Sequence, residues 1–108
     1  MITVHIDMID LALDVDGHAD APREGEFDLV CCAASTIGQQ MLYSMEAYQD
    51  GHDGFQRIET EMDKGHLHIR IRAKEWARIA AIKRLEYARE GFDMLAERYP
   101  EYIKIKED

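Results

Sequence analysis

A histidine and a thiol thirteen residues apart, His18 and Cys31, frame a short polar stretch and carry the most specific chemistry of this 108-residue chain. A thiol is a strong nucleophile only as thiolate, and an imidazole beside it supplies both the base and the countercharge. The two residues are therefore the minimum equipment of a cysteine hydrolase. The local sequence adds to this. Asp28 is a good helix N-cap, since its carboxylate accepts hydrogen bonds from free first-turn N–H groups. With Asp28 as cap, Cys31 is expected at the third helical position, where the positive end of the helix dipole stabilises a thiolate. The N–H groups of that turn would also hold the oxyanion of a tetrahedral intermediate. The charge of Asp28 opposes a second anion, so the partnership with His18 is expected to decide the matter. Ser35 follows Cys31 by one turn on the same helix face, within bonding reach of the site or as a small packing residue.

Other candidate chemistry is thinner. Val30-Cys31-Cys32-Ala33-Ala34 also reads as plain core, because cysteine is among the most buried residue types. His66-x-His68 puts two imidazoles on one strand face, but no third metal ligand is evident nearby, and a solvated outer face is the simpler reading. Vicinal Cys31-Cys32 suggests redox chemistry, yet a helix sets the two thiols about 100° apart around its axis. There is no phosphate-binding glycine loop and no cofactor fingerprint, so neither cofactor nor metal is expected.

The elements that must position these residues follow from periodicity. Ile2, Val4, Ile6 and Met8 alternate with polar residues as a half-buried strand, and Leu11, Leu13 and Val15 alternate as a second. Residues 17–27 have no period and read as loop. From Leu29 the period changes: Val30, Ala34, Ile37, Met41, Met45 and Tyr48 give one apolar helix face, with Gly38 allowing close packing. Residues 50–54 break that helix. Phe55–Glu59 reads as a weak strand, Asp63-Lys64-Gly65 as a hairpin turn, and Leu67, Ile69 and Ile71 as the returning strand. A long helix is expected over 74–98, its stripe formed by Ile79, Ile82, Leu85, Ala88, Phe92, Leu95 and Tyr99, and ended by Pro100. Trp76 and the methionines Met41, Met45 and Met94 read as core. Tyr102, Ile103 and Ile105 add a short last strand. The order ββαββαβ predicts an α+β fold of two layers, an antiparallel sheet with two helices on one face, forming one domain over residues 1–108.

Composition bounds the partners. The net charge is −9. Residues 1–30 carry eight acids against one base, Arg23, while residues 70–90 carry seven bases against three acids. An acidic protein is a poor direct ligand for nucleic acid and is better matched to a basic protein. Two adjacent cysteines make no disulfide framework, and no run of transmembrane length or signal-like opening appears, so a reducing, cytoplasmic setting away from membrane is expected.

Gly17-His18-Ala19-Asp20, then Gly25, Asp28-Leu29-Val30-Cys31 and Ser35, resembles the signature of the ribosomal-processing cysteine proteases, the Prp family. The opening strand, the length and the element order extend the resemblance over the whole chain. It implies a small bacterial endopeptidase that removes an N-terminal extension from large-subunit ribosomal protein twenty-seven, with His18 as general base and Cys31 as nucleophile. Asp28, Ser35, Gly17 and Gly25 match further positions with supporting or substrate-binding roles, and the loop 19–27 would be the lid. The partner it implies is that ribosomal protein; a homodimer is the expected assembly. Two departures stand out. The His-to-Cys interval is one residue longer than the family form, an insertion near Pro22-Arg23, and Cys32 stands where a small residue is usual. The rival from another class is a non-catalytic module that binds a basic ribosomal tail. A thiol-redox or metal-binding protein is the third reading.

Overall fold

The structure is a computed structural model that describes residues 1–17, 24–63 and 65–107, and over 24–28 the backbone alone. Strand β1 (Ile2–Asp7) and strand β2 (Ala12–Gly17) precede helix α1 (Glu24–Gly51); β3 (Phe55–Asp63) and β4 (His66–Ala73) form a hairpin. A 3₁₀ turn at Glu75–Ala77 leads into helix α2 (Arg78–Arg98), and β5 (Ile103–Glu107) closes the order. The class is α+β in two layers, as expected, with one five-stranded sheet in the order β3-β4-β2-β1-β5.

One detail departs from the expected antiparallel sheet. Three pairings are antiparallel, but β5 runs parallel to β1. Topology requires it. Strand β4 is antiparallel to β2 and β2 to β1, so β4 and β1 point the same way. Helix α2 carries the chain back along the sheet, and β5 must then repeat the direction of β4, as in any crossover connection.

Alternation builds the core. Ile2, Val4 and Ile6 on β1, Leu13 and Val15 on β2, and Leu67, Ile69 and Ile71 on β4 turn one face of the sheet inward. Val30, Ala34, Met41 and Met45 of α1 and Ala81, Leu85, Ala88, Phe92 and Leu95 of α2 cover that face. Gly38 lies in the same helical stripe, and a Cβ there would stand 2.4 Å from Leu67 Cδ2. The missing side chain is what lets α1 lie close against β4.

Three expectations about α2 and its approach are corrected. Trp76, Ile79 and Met94 are exposed, at 58%, 65% and 52%. The inward stripe is set by Ala77 and Ala81, so the helix phase buries small residues at its start and turns the larger ones outward. Leu11 belongs to the turn rather than to β2: it is buried but has φ 57°, a left-handed conformation that a branched residue adopts only when its side chain is anchored. Asp7 supports the same turn, its Oδ1 accepting from the N–H groups of Ile9 and Asp10 at 2.9 Å each. Those bonds hold the Asp7 carboxyl below the usual carboxylate range. No helix among the described residues is long and apolar enough to cross a membrane.

Candidate active site

Helix α1 begins at Glu24, four residues before the expected cap. Asp28 therefore sits inside the helix and does not cap it, and Gly25 is helical rather than part of a loop. Cys31 lies two turns in. At that depth the backbone N–H groups are spent on i→i−4 bonds, and the terminal charge of the helix has faded. The first-turn account of thiolate and oxyanion stabilisation at Cys31 is thus set aside. Periodicity missed the start because Glu24, Gly25 and Glu26 add no apolar residue to the stripe. His18, with the rest of 18–23 including the Pro22-Arg23 insertion, lies outside the described residues, as do the side chain of Asp28 and Lys64.

The described candidates converge on one cavity of about 260 Å³ at the end of the sheet where β1 and β4 begin and β2 ends. Cys31 and Ser35 line it from α1, and Gly17 lines it from β2. Ile2, Val15, Ala34 and Leu67 make its apolar walls. The thiol of Cys31 is half-buried against the core edge, whereas Cys32 is exposed and does not line the cavity. The helix separates the two sulfurs as its geometry requires. Ser35 Oγ accepts a hydrogen bond from Gln39 Nε2 at 2.8 Å.

Gly17 has a reason to be glycine. Its φ is +97°, and a Cβ would come within 2.5 Å of the Met1 carbonyl oxygen. Its N–H donates to the Gly65 carbonyl at 2.8 Å, tying the end of β2 to the β3–β4 turn across the cavity mouth. Any side chain there would push the first strand away from the wall of the site.

The sequence did not indicate that His66 belongs here. It lines the same cavity as Cys31, with Asp63 and Gly65 beside it. Its Nδ1 is bonded to Asp16 Oδ1, and its Nε2 is 3.6 Å from Glu61 Oε2. The Asp16 carboxylate raises the His66 pKa above the ordinary imidazole value, through the hydrogen bond first and the charge second. Two residues on, His68 Nδ1 is 2.6 Å from Asp14 Oδ1. The pairs follow from register, since Asp16 faces His66 and Asp14 faces His68 across β2 and β4. The signal was present as Asp-x-Asp on one strand and His-x-His on another, both outward at period two. The histidine pair read from the sequence as a possible metal site is thus engaged by carboxylates.

Comparison with known proteins bears on the family and the fold. The family model described as cysteine protease Prp matches residues 1–104. No curated protein matches the chain. Among solved structures, the ribosomal processing protease Prp from S. aureus in complex with a substrate peptide is 27% identical, with a TM-score of 0.70 over 100% of both chains. The same S. aureus protease with a covalently linked product peptide is 28% identical, with a TM-score of 0.71 and the same coverage. The protein SMU.848 from Streptococcus mutans shares the fold at 22% identity, with a TM-score of 0.70 over 98% of this chain and 90% of that one. With the family model matched over residues 1–104, this chain belongs to the cysteine protease Prp family.

Proposed function

We propose that the protein is a cytoplasmic endopeptidase that removes the N-terminal extension of large-subunit ribosomal protein twenty-seven, using a Cys31–His18 dyad. The observation that carries the reading is the placement of Cys31 in the wall of an apolar cavity, in a chain that matches the protease family over residues 1–104. An S. aureus relative, described as a ribosomal processing protease, has been seen with a substrate peptide and with a covalently linked product peptide.

Each step is assigned to this chain's residues. His18 takes the proton of the Cys31 thiol, and the sulfur attacks the scissile carbonyl carbon. The carbonyl π bond opens to an oxyanion, which collapses as His18 protonates the departing amine. The N-terminal fragment stays on Cys31 as a thioester. Water, deprotonated by His18, attacks that carbonyl and frees the thiolate. Because Cys31 lies two turns into α1, the oxyanion donors come from outside the first turn of the helix. Ser35 and Gly17 support the cavity, Asp28 and Gly25 the approach to Cys31, and a homodimer is the proposed assembly.

The test is incubation with the full-length ribosomal protein from the same genome, read by intact mass. Loss of an N-terminal fragment supports the reading. An unchanged mass over many enzyme equivalents and hours contradicts it.

A further inference from the structure

A serine hydroxyl has one proton to give and two lone pairs that can receive one, so the polarity of its bonds decides what it can offer a ligand. Two neighbouring hydroxyls of α1 are used in opposite ways. Thr36 donates its proton back to the Cys32 carbonyl, one turn earlier, at 2.7 Å. Ser35 instead accepts from Gln39 Nε2 at 2.8 Å, and among the described residues Gln39 is its only hydrogen-bond partner. The Ser35 proton is therefore unspent. Ser35 is half-buried and lines the Cys31 cavity, whereas Gln39 is exposed and stands outside that wall.

The spacing suits that proton to the reaction. Ser35 follows Cys31 by four residues, about 6 Å along the helix axis and nearly in line with it. A carbonyl held at the Cys31 sulfur thus comes into the range of the Ser35 hydroxyl. The helix has no backbone N–H to spare at Cys31, so an oxyanion there needs a donor of another kind, and a serine hydroxyl is one. The backbone beneath the pair is firmly seated. Gly38, between Ser35 and Gln39, lets α1 close on Leu67, itself a wall of the same cavity.

We propose that Gln39 is a positioning residue: by donating to Ser35 Oγ it leaves the Ser35 proton to the cavity, where the hydroxyl donates to the substrate carbonyl oxygen as that oxygen becomes an oxyanion. The proposal rests on the peptidase reading above and adds a polarity to that site. A side chain at position 39 that can donate keeps the arrangement. One that can only accept reverses it, because a carboxylate draws the Ser35 proton out of the cavity. Glu reaches as far as Gln and forms helix as readily, so Gln39→Glu inverts the bond and spares the helix.

The experiment measures turnover near neutral pH, where a glutamate is ionised, on a peptide copied from the N-terminus of the ribosomal protein and spanning the cut. Ser35→Ala is expected to lower kcat by about 10²-fold, the size of one lost oxyanion donor, with KM little changed. Gln39→Ala loses only the orienting bond and should lower kcat by about threefold to tenfold. Gln39→Glu should fall to within about threefold of Ser35→Ala, while Gln39→Lys, which can only donate, stays within about threefold of wild type. Gln39 is exposed, so folding is not at stake in its variants. The charge that Glu introduces is separated from the bond by combining it with Ser35→Ala. With no hydroxyl left to capture, Gln39→Glu should then cost less than about a further twofold. Wild-type turnover in Gln39→Glu, a Ser35→Ala variant that keeps its kcat, or an equal cost of Gln39→Glu with and without the Ser35 hydroxyl overturns the proposal while leaving the peptidase reading intact. No cutting of the peptide or of the full-length ribosomal protein by the wild-type enzyme instead overturns the peptidase reading, and this proposal with it.

Discussion

At the scale of single residues, the two adjacent thiols differ in placement. Cys31 lines the cavity and Cys32 is exposed away from it. Cys31→Ala is expected to abolish cleavage, while Cys32→Ala keeps most of it; turnover of the two variants on the same peptide is the check. The opposite pattern would shift the nucleophile by one residue, onto a helix position that does not face the cavity. His18→Ala should lower kcat by about 10²–10⁴-fold, the contribution of a general base, with an unchanged circular dichroism spectrum. The sequence displayed these two residues through the types and spacing around them. His66 was visible only as half of a histidine pair, because its partner Asp16 is fifty positions away. Cross-strand partners are set by register, and register is not local information.

At the scale of elements, the strands were legible because alternation survives wherever one face is buried, as at Ile2-Val4-Ile6 and Leu67-Ile69-Ile71. The start of α1 was not, because Glu24, Gly25 and Glu26 carry no apolar side chain to mark the helical period. The stripe of α2 held at Leu85, Ala88, Phe92 and Leu95, but its beginning was misread for a related reason. Ala77 and Ala81 occupy the inward line, and alanine carries too little hydrophobic weight to compete on paper with Ile79 or Trp76. The parallel edge strand required knowing the order of strands in space. Gly38 tests how α1 is seated. Ala would add about 1 kcal/mol of helix propensity. Its Cβ would also press into Leu67, and overpacking of this kind typically costs about 1–3 kcal/mol. Gly38→Ala is therefore expected to lower stability by about 1 kcal/mol in denaturant unfolding, a net of the two effects. Leu67 is also a wall of the Cys31 cavity, so KM should rise with it. A more stable variant with unchanged KM would show that α1 has room to spare over β4.

At the scale of the whole molecule, the two faces of the sheet divide the work. One holds the core and, at its end, the Cys31 cavity; the other carries paired charges in open solvent. The Asp16–His66 pair on that open face links folding to pH. The folded-state pKa of His66 lies above the unfolded value of about 6.5, so the pair's stabilising contribution is fully present below that value and fades as pH rises through the folded-state pKa. Asp7 acts with the opposite sign: its pKa is lowered, so its contribution is present above the unfolded value of 3.8 and lost as pH falls further. Urea unfolding of wild type and Asp16→Asn should therefore differ near about pH 6 and converge near about pH 9. A gap that widens at the higher pH would mean that Asp16 supports the sheet by some route other than the imidazole.

The most direct test of the peptidase reading is the mass of the enzyme itself, quenched in acid during turnover of the ribosomal protein and mapped by peptide fragmentation. The expected result is a thioester adduct on Cys31, equal in mass to the removed N-terminal segment less one water, and absent from Cys31→Ala. Cleaved substrate with the adduct on Cys32, or cleavage that persists in Cys31→Ala, would contradict Cys31 as the nucleophile and with it the mechanism built on the cavity.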